Sequence, residues 1–288
     1  MDTLTPASEA ALDFPALLRY WRNRRGYSQQ ALSQVAGVSQ RHISFLESGR
    51  ARPSREMVLA LAERLGVPLR QRNRLLLAGG YAPAYSEQGL AAPPASMVQQ
   101  AIALILAKQE PYPAVVLDRF WNLVDANQAY RRMLGLLLRG RAPAALEQGG
   151  GRVNLMLTVF DPAGLWPSIE NARQVGRYLL RRVWQELQVQ AHDRTAREIF
   201  QRIAVWHPDM VGPGGVPLFD DEAGEGVPPP VLPVVVAGPG IHASLFSTLT
   251  TLGIPQDVSL QELRIECFFP ADRASAAAFE ALAQSAPA

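Results

Sequence analysis

The segment SQQALSQVAGVSQRHISFLESGR, residues 28–50, constrains this 288-residue chain more than any other stretch. Two short runs, QQALSQVA and QRHISFLES, each follow a serine and are separated by Ala36-Gly37-Val38. Ser28 and Ser39 read as N-caps, because a serine oxygen accepts from the unpaired N–H groups of a first helical turn. Two helices that cross over a short turn need a small residue at the crossing and a glycine in the turn. Ala31, Ala36 and Gly37 fit those needs, and Leu32, Val35, Val38, Ile43 and Leu46 supply a shared core.

The flanks extend the pattern. FPALLRYWRNRR puts Phe14, Leu17, Leu18 and Trp21 on one helical face, with Gly26 as its stop. Ser54 caps REMVLALAERLG, which ends at Gly66, and Pro68 opens LRQRNRLLLAGG from within its first turn. The expectation is five short helices in about seventy residues.

Charge separates this head from the rest. Residues 14–80 hold twelve arginines against Glu47, Glu56 and Glu63, a net +9, although the whole chain is only +2. A compact basic head on a mildly acidic body points to a polyanion partner for the head alone. The exposed face of the second motif helix begins Ser39, Gln40, Arg41, Ser44. Such side chains meet base edges in a major groove, where Gln suits adenine and Arg suits guanine. Gln29, Arg50 and Arg52 fall where phosphates would pass. A bundle that packs against a protein partner is the rival reading.

SQQALSQVAGVSQRHISFLESGRARPS, with its small-residue turn and E-x-G-x-x-x-P ending, resembles the lambda-repressor-like Cro/C1 (XRE) regulators. The resemblance implies double-stranded DNA as a partner and a homodimer on a two-fold site.

From Tyr81 the texture changes. Residues 81–95 are rich in Pro, Ala and Ser and read as a linker between a head at 1–80 and a second domain at 96–288. MVQQAIALILAKQE is helical. AVVLD and WNLVDA are strands, followed by a helix entered at Asn127. Residues 152–206 are mainly helical, with a break at FDPAGLWP. LPVVVA, SLFSTLT and ELRIECFF close the chain as strands. Two strands, then helices, then three strands make an α+β antiparallel sheet covered by helices, the outline of a PAS-like sensor. VLDRFWNLVDANQAY, NLMLTVFDPAGLWPSIENA and FSTLTTLGIPQDVSLQELRIECFFPAD resemble the MmyB-like regulators, which implies an interior able to hold a fatty-acid-like molecule.

Trp121, Phe160, Trp184 and Phe246 are the candidate lining residues for a small apolar ligand. They could equally fill a solid core, since apolar periodicity does not separate pocket wall from packed interior. Arg177, Arg181 and Arg182 could anchor a carboxylate or form a solvated helix face.

Other chemistry finds little support. The single cysteine, Cys267, excludes an internal disulfide, and four unpaired histidines argue against a metal. GPGIHA at 238–243 mimics a dinucleotide fingerprint, but Pro239 and the following threonines favour a hairpin, with the spacing of Leu245, Leu249 and Leu252 leaving a helix as the alternative. GGGR at 149–152 lacks the rest of a P-loop, and Asp220-Asp221-Glu222 reads as a solvated loop. No catalytic residue, cofactor or metal is expected. Without a leader or a membrane-length apolar run, a cytoplasmic location is expected. The reading is a DNA-binding regulator that senses a small apolar ligand, possession of a bound fatty acid being its finest detail. The alternative is a second domain that only mediates dimerisation or protein contacts.

Overall fold

A computed structural model describes residues 13–87, 95–139, 153–188, 194–212, 216–218, 232–252 and 257–284. GGGR at 149–152 and Asp220-Asp221-Glu222 lie outside the described residues. The chain divides into two units, Met1–Ala92 with Ile254–Gln261, and Pro93–Gly253 with Glu262–Ala288.

The first unit begins with five helices: α1 (Phe14–Arg24), α2 (Gln29–Ala36), α3 (Gln40–Glu47), α4 (Arg55–Arg64) and α5 (Leu69–Ala78). Side chains of Asp13, Ser28, Ser39 and Ser54 accept from the third N–H of α1, α2, α3 and α4. Gly37 ends α2 with φ 67°, a left-handed conformation that a side chain resists. Pro68 is the N-cap of α5 rather than a member of its first turn. Trp21, Leu18, Leu32, Ile43, Leu46 and Leu61 are buried. Val35, expected in this core, is 40% exposed. The inner face of α2 instead carries Ser33, whose hydroxyl is satisfied by Gln30 O at 2.7 Å and so tolerates burial.

A buried ion pair fastens these helices. Glu47, at the end of α3, has a side chain 1% exposed. Arg22 of α1 grips both its oxygens, at 2.6 Å through Nε and 3.0 Å through Nη2. Gln29 of α2 donates to Glu47 Oε2 at 2.8 Å, and Arg19 donates to Glu47 O at 2.8 Å. The third Arg22 contact is Tyr27 O at 2.8 Å.

The second unit contains α6 (Ala95–Gln109), β1 (Ala114–Leu117), β2 (Leu123–Ala126), α7 (Gln128–Leu138), α8 (Leu155–Phe160), a 3-10 turn (Trp166–Ser168), α9 (Ala172–Gln188) and α10 (Arg194–Trp206). β3 (Val234–Gly238) and β4 (Ile241–Thr251) follow; α11 (Val258–Gln261) returns to the first unit; β5 (Arg264–Pro270) and α12 (Arg273–Gln284) close the described chain. The sheet order is β2-β1-β5-β4-β3, with every neighbouring pair antiparallel. The second unit thus has a PAS-like α+β architecture, and the five helices of the first form an all-α bundle.

The sequence reading missed α12. Its run ASAAAFEALAQ has few large apolar residues, so periodicity is faint. Alanine propensity and a cap build it instead: Asp272 Oδ1 accepts from Ser275 N at 2.7 Å. The backbone N–H of Ser275, then its hydroxyl, hold the Asp272 carboxyl below the usual range. GPGIHA is the hairpin between β3 and β4, closed by the Gly238–Ile241 pair. A Cβ on Gly238 would stand 3.0 Å from Leu137 Cδ2, so the absence of a side chain lets α7 approach.

Strand parity gives the sheet two faces. Val115, Leu117, Ala243, Leu245 and Phe268 join α7, α8, α9, α10 and α12 in one apolar cluster, the inner face. Val116, Ile265 and Cys267 alternate onto the outer face. Burial pushes the Cys267 thiol up, as expected of a packing residue. Asn127 ties this unit at its start: it caps α7 through Tyr130 N and accepts from Ala114 N at 2.9 Å.

The ion pair generates a stability prediction. Glu47→Ala strands the Arg22 guanidinium, and losing one partner of a buried pair costs about 3–5 kcal/mol. Amide hydrogen exchange of α1 and α3 in the full chain should show that loss of opening free energy. A change below about 1 kcal/mol would mean that the pair does not clamp the bundle.

Candidate nucleic-acid interface and apolar interior

The ion pair at its C-terminal end fixes α3, and this sets what its N-terminal end presents. Ser39, Gln40 and Arg41 are exposed there and Ser44 is half-buried. Ser39 Oγ accepts from His42 N at 3.1 Å, which leaves its own proton to donate outward. Gln40 and Arg41 are the first two residues of the helix, the part that meets base edges when such a helix enters a groove. Arg41 lies with its guanidinium 5.1 Å from the Phe45 ring centroid, and Arg50 at 6.0 Å shares the same ring. Phe45 therefore orients two cations, a role its apolar character concealed in the sequence.

Arg50 and Arg52 are exposed just beyond α3. Gln29 stands at the start of α2 but spends an amide N–H on Glu47. Part of the basic charge is spent on bonds within the bundle. Arg22 is committed to Glu47, and Arg25 donates to Leu65 O and Gly66 O, each at 2.7 Å.

In the second unit Trp121 sits in the turn between β1 and β2, before the strand expected to begin there. Its φ is 66°, uncommon for a bulky residue. Asp118 Oδ1 accepts from Phe120 N and Asn122 N at 2.8 and 2.9 Å, and Leu155 N donates to Trp121 O at 2.8 Å. Asn154 Nδ2 adds bonds to Phe120 O at 2.7 Å and Asn122 Oδ1 at 3.0 Å. This network drives the indole inward to 3% exposure. Two guanidinia flank it, Arg182 of α9 at 5.5 Å and Arg264 of β5 at 5.8 Å. Arg177 and Arg181, the other arginines considered, are exposed.

Phe160 is fully buried against Trp166 and His207, and His207 Nε2 is 2.7 Å from Phe160 O. Trp184 is half-buried, edge-on to Phe200 at 5.4 Å. Trp121, Phe160 and Trp184 thus belong to the same apolar cluster. Phe246 does not. Leu245 points inward, so Phe246 points outward and stacks on Phe269 at 5.5 Å.

The sequence reading passed over Arg264 and Glu266. In RIECFFP, residues 264, 266 and 268 share the inner face, a parity readable once the strand was assigned. Ser247 Oγ donates to Glu266 Oε1 at 2.6 Å, and the buried Tyr130 stacks on Phe268. Burial, then the Glu266 charge, pushes the Tyr130 phenol far up, so it remains a neutral hydroxyl.

Among the described residues no group of three acidic, histidine or cysteine side chains could hold a metal ion. Nor is any described helix long and apolar enough to cross a membrane.

Residues 18–71 match the family described as helix-turn-helix. Residues 98–282 match the MmyB-like transcription regulator ligand binding domain. No curated protein matches the chain. Both matched domains are regulatory rather than catalytic, one a DNA-binding module and the other a ligand-binding fold. With the second match covering more than half its length, the chain belongs to the MmyB-like transcription regulators, an XRE-type helix-turn-helix head followed by a ligand-binding domain.

Proposed function

We propose that this regulator acts as a cytoplasmic homodimer that reads DNA with α3 and binds a fatty-acid-like molecule on the inner face of its sheet. The observation that carries the ligand reading is the Trp121 environment: a buried indole of the apolar cluster, with the Arg182 and Arg264 guanidinia 5.5 and 5.8 Å from its ring. Guanidinia suit a carboxylate, and the cluster suits an acyl chain. The reading assigns Trp121, Phe160 and Trp184 to the ligand's surroundings. A second reading, in which this unit only pairs subunits, draws support from the half-buried Phe246–Phe269 stack on the outer face.

On the DNA side, Ser39, Gln40, Arg41 and Ser44 contact bases in this reading, while Gln29, Arg50 and Arg52 contact phosphates. Gln40→Ala or Arg41→Ala should each cost about 1–3 kcal/mol on the selected site and relax base preference there. Wild-type selectivity of both variants in an in vitro binding-site selection would sink the groove assignment.

Phosphate contacts behave differently. Arg50→Ala with Arg52→Ala should weaken binding to all sequences alike and flatten the log–log salt dependence by about one to two units. An unchanged slope would remove these arginines from the phosphate path.

Ligand binding should follow mass action. Saturation at 100-fold over the dissociation constant stabilises by about 2.7 kcal/mol, so the Tm of the delipidated full chain should rise with hexadecanoate. Shorter acids should do less, because each buried methylene contributes about 0.8 kcal/mol. No shift with any acid of about eight to eighteen carbons would leave the pairing-only reading in its place.

A further inference from the structure

The segment after α5 is bonded, not slack. Asn73 of α5, 3% exposed, accepts through Oδ1 from Ala84 N and Tyr85 N, both at 3.1 Å. Its Nδ2 donates to Tyr85 O at 2.8 Å and Glu87 Oε1 at 3.2 Å. Arg70 holds the other Glu87 oxygen at 2.6 Å, and Arg72 donates to the Tyr85 hydroxyl at 3.2 Å. Residues 84–87 thus form a strap along α5.

The strap carries α11. Ser86 bridges Asp257 in parallel fashion, and Val258 N donates to Ser86 O at 2.8 Å. Ser259 Oγ adds a bond to Glu87 O at 3.2 Å. Asp257 Oδ1 caps the short helix through Leu260 N at 3.0 Å, and Val258 and Leu260 are buried. In sequence, however, α11 lies between β4 and β5, the strands that present Leu245, Ser247, Leu249, Arg264, Glu266 and Phe268 inward.

The downstream tether is short. α11 ends at Gln261 and β5 begins at Arg264, three residues on, a span of about 10 Å at full extension. Arg264 is itself one of the two guanidinia beside Trp121. A shift of β5 at that residue has little slack in which to dissipate before it reaches α11.

We propose that α11 and the strap at residues 84–87 form the coupling element through which occupancy of the sheet's inner face changes the DNA-binding helices. This rests on the ligand reading above for its input, but the coupling itself is testable without ligand. In this proposal the strap switches between the bonded arrangement seen here and a released one, the two arrangements that a coupling element requires. Its bonds end on Asn73 and Arg70 of α5, a helix of the DNA-binding bundle.

Hydrogen exchange in the full chain tests it. Thr250→Gly weakens β4 from its exposed outer face, opposite the inner face. Amides of residues 84–87 should then exchange about two- to fivefold faster, the loss that a strand glycine brings, while those of α1 keep wild-type rates. Unchanged exchange at 84–87 overturns the coupling, whether or not any acid binds. Thr248→Gly gives the same readout if the first variant does not fold. In the wild type, saturating hexadecanoate should alter the same amides and the DNA affinity together. Ser86→Cys with Asp257→Cys, oxidised across the bridge, should hold both fixed while the Tm still rises. A Tm rise without any change at 84–87 overturns the coupling and leaves the ligand reading standing. No Tm rise, with Thr250→Gly still felt at 84–87, sinks the ligand reading and leaves the coupling standing.

Discussion

The Glu47 carboxylate determines where α3 can lie. It is buried, and a buried charge persists only when its oxygens are matched by donors. Those donors arrive from α1 through Arg22 and from α2 through Gln29. Three helices therefore converge on one group at the C-terminal end of α3. Rotation of α3 about its axis would withdraw the carboxylate from both partners. The same restraint aims Gln40 and Arg41 outward at the opposite end of the helix. Pre-organisation matters here because side chains that are already oriented lose less freedom on binding DNA. The Phe45 ring, shared by Arg41 and Arg50, works in the same direction.

In the second unit the governing constraint is the two-residue period of the strands. It places Leu245, Ser247 and Leu249 of β4 with Arg264, Glu266 and Phe268 of β5 on one face. The inner face is consequently apolar at one end and carries charge at the other. Trp121 stands where these meet, with a backbone that Asp118 and Asn154 hold in the left-handed region. A bulky residue in that region is strained, and such strain persists only where neighbouring bonds over-determine it.

The helical head was legible because its information is local. Each serine cap and glycine stop acts within four residues, so the order of five helices follows from spacing alone. Gln40, Arg41, Arg50 and Arg52 are exposed as that spacing implies, and the domain matches confirm the head's class. Long-range partnerships were not legible. Nothing local shows that Arg22 meets Glu47 across 25 residues, or that Asn73 binds a strap where composition reads a linker. Phe246 illustrates a different failure. Residue type groups it with Trp121, whereas strand parity, set by its inward neighbour Leu245, sends it to the other face. The α12 helix escaped because alanine-rich helices lack the apolar contrast on which periodicity depends.

The size of the bonds in the strap bounds what a ligand could do through it. A net hydrogen bond is worth about 0.5–1.5 kcal/mol, and among the described residues Val258 N and Ser259 Oγ each bond the strap, at Ser86 O and Glu87 O. Release of these two bonds would change the strap by about 1–3 kcal/mol, the range in which measured coupling between sites falls. That corresponds to about a 5- to 150-fold change in DNA affinity if all of it reaches α5. A ligand need not deform the bundle to achieve this. It need only favour one position of Arg264 over another, and the three-residue step from Gln261 passes that preference to α11. The ligand's differential affinity for the two positions sets the limit, so an acyl chain that bound both equally would bind tightly and signal nothing.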